Sequence, residues 1–109
     1  MLIMALSAVT HRRVVELLER FHSWLKPGGL LRVEVPDMEA IMAGPPECWE
    51  TWVYGVQEPA GEFHCCGFTA ESLRLRVKAA GFKDIYVRKF VSDHPHRYGM
   101  PCLEATANR

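Results

Sequence analysis

Histidine and cysteine carry most of the reactive chemistry in this chain. His64 heads the stretch "HCCGFT", and an imidazole titrating near neutrality can take a proton from a hydroxyl or amine. The plainer reading is a loop histidine hydrogen-bonded to backbone. His64, Cys65 and Cys66 together with His94 and His96 of "HPH" would offer enough soft ligands for tetrahedral zinc if the two loops met. Adjacent cysteines cannot easily present both thiolates to one tetrahedral ion, and no familiar ligand spacing is present, so no metal site is expected. A third group, "SAVTH" from Ser7 to His11, ends in Thr10 and His11 just before an amphipathic stretch. Thr10 reads first as the cap of that helix. Trp49, Trp52 and Tyr54 read as packing or a lid before a ligand cage.

Composition narrows the class. A chain of 109 residues is one domain, just large enough to bury a core of its own. Apolar residues make up 49% and charged residues 24%, which fits a soluble globular protein. Formal net charge is zero, and no segment concentrates Lys and Arg into a phosphate-tracking stripe, so nucleic acid is not an expected partner. The apolar start "MLIMALSAV" is too short to span a bilayer and lacks the pattern of a signal peptide. It reads as a buried strand and turn. Cys48, Cys65, Cys66 and Cys102 show no CxxC spacing, which favours reduced thiols and a cytoplasmic location.

The elements that must position these groups follow from periodicity and punctuation. From Thr10, apolar Val14, Leu18, Phe21 and Leu25 recur at helical steps. The helix must stop at "KPGG", where Pro27 disfavours helical geometry at Lys26 and Gly28 and Gly29 allow a positive-φ turn. Leu30 to Pro36 alternates Leu31, Val33 and Val35 with Arg32 and Glu34, predicting a strand with one apolar and one polar face. Asp37 then caps a short helix through Met42. Thr69 and Glu71 open another helix with Leu73, Val77 and Ala80 on one face, closed by Gly81. Strands are predicted over Lys83–Val91, with Ile85 and Val87 alternating against Tyr86, Arg88 and Phe90, and over Met100–Ala107. The order is an α/β layer with an antiparallel end.

Three of these segments, "LERFHSWLKPGGLLRVEVPDMEAI", "HCCGFTAESLRLRVKAAGFKDI" and the terminal strands ending in "LEATA", resemble the C-terminal half of class I S-adenosylmethionine-dependent methyltransferases of the small-molecule type 11 group. The resemblance implies a partial Rossmann-like sheet of that family's last four strands, in the order four, five, seven, six, with the seventh antiparallel. It implies a single half domain over residues 1–109 and S-adenosylmethionine as cofactor. It also implies that Ser7 and Thr10 lie near the cofactor's methionine, and that His11 and His64 approach the substrate. The family commonly has an acidic residue where Thr10 stands. Its glycine-rich turn after the first strand and ribose-binding acid after the second have no counterpart in these 109 residues, since Gly28 and Gly29 precede a strand. The expectation is therefore a methyltransferase-like unit with weak or no cofactor binding alone, active only if another chain completes it. The alternative is a non-catalytic interaction or structural module. Either would leave an uncharged edge at the first strand, predicting a homodimer through Leu2, Ile3, Met4, Leu6 and part of the first helix.

Overall fold

The computed structural model describes residues 2–5, 10–44, 53, 67–93 and 99–109, with backbone alone for residues 2–5. Four strands form one sheet: β1 (Leu2–Ala5), β2 (Leu30–Pro36), β3 (Lys83–Val91) and β4 (Pro101–Asn108), in the order β1-β2-β4-β3. β1 lies parallel to β2, with Leu2 opposite Leu31 and Ala5 opposite Glu34. β4 runs antiparallel to both its neighbours. This is the expected order, with the last strand inserted between the second and third.

Alternation decides which side of the sheet forms the core. Leu31, Val33 and Val35 of β2 sit beside Ala107, Ala105 and Leu103 of β4, all buried. Two helices lie on that face: α1 (Val14–Trp24) brings Val14 and Leu18, and α3 (Ala70–Ala79) brings Leu73 and Val77. Phe68 and Phe82 flank α3 and close the same core, which Ile85 and Val87 of β3 border. A smaller cluster of Ile41, Met100 and Cys102, with Met38, Val53 and Phe90 against it, joins the short helix α2 (Met38–Met42) to the start of β4.

Local chemistry sets the boundaries. α1 ends as Leu25 becomes extended, and Gly29 N donates to Lys26 O at 2.7 Å across a turn in which Gly28 takes φ +80°. α3 starts in a capping box: Thr69 Oγ1 accepts from Ser72 N at 3.1 Å, while Ser72 Oγ accepts from Thr69 N at 2.9 Å. The helix ends at Gly81, with φ +101°.

One expectation needs correction. Thr10 is extended but its side chain makes no cap bond; instead its carbonyl accepts from Arg13 N at 2.9 Å, and a 3₁₀ turn at His11–Arg13 precedes α1. The tight turn takes up an orphan donor through backbone, leaving the hydroxyl no role there. β3 has the expected bounds, and its register against β4 shifts between Lys83 and Tyr86, where Asp84 takes φ +54°. Among the described residues, no helix is long and apolar enough to cross a membrane.

Candidate functional site

In open α/β sheets, ligands bind beyond the carboxyl ends of the parallel strands. Here that rim holds the carboxyl ends of β1 and β2, with Thr10 and His11 on the connection from β1 to α1. Both residues are exposed, and the His11 carbonyl accepts from Arg76 Nη1 at 3.0 Å, which ties the turn to α3. Asp37 follows β2 and is only 1% exposed. Its Oδ1 accepts from Ala40 N at 3.4 Å as the cap of α2, and its Oδ2 stands 3.8 Å from Lys89 Nζ. A parallel bridge pairs Asp37 with Phe68, and Met38 N donates to Phe68 O at 3.0 Å. The chain leading into α3 is thereby fixed against the end of β2. Ser7, His64, Cys65, Cys66, His94, His96, Trp49, Trp52 and Tyr54 lie outside the described residues, as do Leu6 and Cys48.

The sheet face opposite α1 and α3 carries a feature that the sequence pattern did not disclose. Register places Glu34 directly across from Glu104, and Glu104 across from Arg88. Two carboxylates facing each other would repel. Arginines on both sides remove the conflict. Glu104 Oε2 accepts from Arg32 Nε at 2.7 Å, and Glu104 Oε1 accepts from Arg88 Nε at 3.0 Å. Arg32 Nη2 also donates to Glu34 Oε1 at 2.9 Å. Hydrogen bonding from Arg88 holds the Glu104 carboxyl below its usual range; burial opposes this, and the charge of Arg32 adds to it. The Arg88 guanidinium is pushed upward by the same partner. Beside the quartet is an open cavity of about 480 Å³, lined by Arg32, Glu34, Arg88, Phe90, Asp93 and Cys102 among others. The one signal in the sequence was the Arg32/Glu34 alternation, which marked a polar face without showing what it meets.

Among the described residues, no three His, Cys, Asp or Glu side chains are grouped to hold a metal ion. Positive-φ glycines occur at Gly28, Gly81 and Gly99. The first two end helices and the third precedes β4, so none joins a strand to a helix as a nucleotide cradle requires. Asp37 is committed to its cap and to Lys89.

An open sheet with a parallel β1-α1-β2 unit and a reversed strand inserted beside it defines a partial Rossmann-like α/β architecture. Residues 2–87 match the family model described as a methyltransferase domain, and the chain belongs to that family. Among solved structures it is similar to human N-acetylserotonin methyltransferase in complex with SAM, with TM-score 0.66 and 19% identity over 98% of this chain and 28% of that one. A SAM-dependent methyltransferase from Archaeoglobus fulgidus aligns with TM-score 0.64 and 13% identity, over 98% of this chain and 57% of that one. A possible exported protein from Bordetella parapertussis aligns at 0.54 and 20%, over 98% and 38%. These likenesses establish the fold, and the chain spans between 28% and 57% of the length of these neighbours. No curated protein matches it.

Proposed function

We propose that these 109 residues form a single methyltransferase-like half domain that binds S-adenosylmethionine weakly or not at all by itself and contributes to methyl transfer only when another chain completes the site. The observation that carries this reading is the sheet order β1-β2-β4-β3 with β4 antiparallel, which reproduces the fourth, fifth, seventh and sixth strands of the family's sheet. S-adenosylmethionine supplies an electrophilic methyl group when bound in the family. The residues proposed to serve it are Ser7 and Thr10 toward the cofactor, and His11 and His64 toward the acceptor. His11 and His64 would act there as proton acceptors for a hydroxyl or amine. The absence of a glycine-rich turn and ribose-binding acid from the 109 residues favours weak binding, because those groups provide directional hydrogen bonds that an apolar pocket cannot replace.

The same reading makes the chain a homodimer, joined through Leu2, Ile3, Met4, Leu6 and part of α1, and places it in the cytoplasm. Isothermal titration of S-adenosylmethionine into the chain tests the cofactor part. No resolvable heat at tens of micromolar is expected, and micromolar affinity would overturn it.

A further inference from the structure

α3 reaches back to the rim through one side chain. Arg76 Nη1 donates to the His11 carbonyl at 3.0 Å, across 65 positions of sequence. The same guanidinium lies 5.7 Å from the centroid of the Phe68 ring, and a planar cation over an aromatic face is held in one orientation instead of swinging in water. Phe68 is itself fixed. It is buried, it bridges to Asp37, and its carbonyl accepts from Met38 N at 3.0 Å. Arg76 therefore links the turn that carries Thr10 and His11 to the residue that is bridged to Asp37 at the end of β2.

We infer that Arg76 is a positioning residue of the candidate site, holding Thr10 and His11 at a set place relative to Asp37 and the end of β2. The inference rests on the reading that His11 serves a methyl acceptor, and it adds the group that keeps His11 in place. What else holds the turn decides the matter. His11, Arg12 and Arg13 bury no side chain, so packing does not fix them. The bond from Arg13 N to Thr10 O at 2.9 Å closes the turn on itself without tying it to the sheet. Among the described residues, the Arg76 bond is the one hydrogen bond or ion pair that leaves Thr10–Arg13 for an element other than α1. A surface carbonyl returns readily to water, so losing this bond costs the whole fold little while it frees the turn. The anchor is rigid by contrast. Leu73 and Val77, on either side of Arg76 along α3, are fully buried, and the capping box fixes the start of the helix.

Backbone amide relaxation measured by NMR on the full chain and its variants tests this, with circular dichroism to confirm folding. Arg76→Met keeps an apolar stem beside Phe68 and removes the donor, while Arg76→Lys keeps a charged donor. Arg74→Met is the control, because Arg74 pairs with Glu71 on the same helix and not with the rim. Order parameters of about 0.85 are expected for His11–Arg13 in wild type and Arg74→Met, falling below about 0.6 in Arg76→Met and recovering above that value in Arg76→Lys. Leu73 and Val77 should keep their wild-type values throughout. A general packing role would instead loosen α3 as well, and lysine would not rescue it. Wild-type values already below about 0.6, values that stay above it in Arg76→Met, an equal fall in Arg74→Met or no recovery in Arg76→Lys each overturn the inference. So does an Arg76→Met chain that fails to fold or loosens along α3. No methyl donor or acceptor enters the measurement, so its failure leaves the methyl-transfer reading standing, and titration with S-adenosylmethionine tests that reading separately.

Discussion

Exchanging Glu104 for Gln removes one charge from the quartet on the sheet face opposite α1 and α3 while keeping side-chain volume. Glu104 has a side chain 10% exposed, and it accepts from Arg32 Nε at 2.7 Å and from Arg88 Nε and Nη2 at 3.0 and 3.2 Å. A hydrogen bond to a charged group contributes about 1.5–3 kcal/mol net, and breaking a deeply buried pair costs about 3–5 kcal/mol. Here the arginine side chains are 33% and 48% exposed and can return to water, and Gln keeps one acceptor oxygen. The expected loss for Glu104→Gln is therefore about 2 kcal/mol at pH 7, at the low end of those ranges. The pH dependence follows from the depressed carboxyl pKa. A carboxyl whose folded pKa lies below its unfolded value of roughly 4.3 gives stability that is present above that value and is lost as pH falls through the folded pKa. The difference between wild type and variant should be flat from about pH 6 to 8 and shrink below about pH 4. Urea unfolding followed by tryptophan fluorescence at pH 7, 5 and 3 measures it. A loss under about 0.5 kcal/mol at pH 7, or one that persists undiminished at pH 3, would refute the argument that the charged form of Glu104 is what the arginines stabilise.

Two further substitutions test local structure. Asp37→Ala removes the α2 cap and the carboxylate beside Lys89, and should lower stability by about 1 kcal/mol; an unchanged urea midpoint counts against the cap. Gly28→Ala has open space for its methyl but must hold φ at +80°, so a loss of about 1–2 kcal/mol is expected from backbone strain alone, and equal thermal midpoints for the two proteins would contradict it.

Local physics makes much of the fold legible in the sequence alone. Leu30–Pro36 and Lys83–Val91 have the predicted bounds because a period of two and adjacent turn residues act within a few positions. Leu73, Val77 and Ala80 are buried together because helical spacing puts them on one face. The "KPGG" stop needs only the steric rules of proline and glycine. Tertiary structure alone decided the rest. Thr10 lost its expected cap role to a 3₁₀ turn, a choice between two nearly equivalent ways of satisfying the same backbone donors. Asp37 is buried at a backbone bridge to Phe68, which is distant in sequence. Arg32 and Glu104 are 72 positions apart, and whether Glu34 faces Glu104 as a repulsive pair or within a quartet depends on strand register. A one-residue slip of β4 would turn Glu104 to the other face, away from Arg32, Glu34 and Arg88, so their meeting belongs to the assembled sheet and to no local segment.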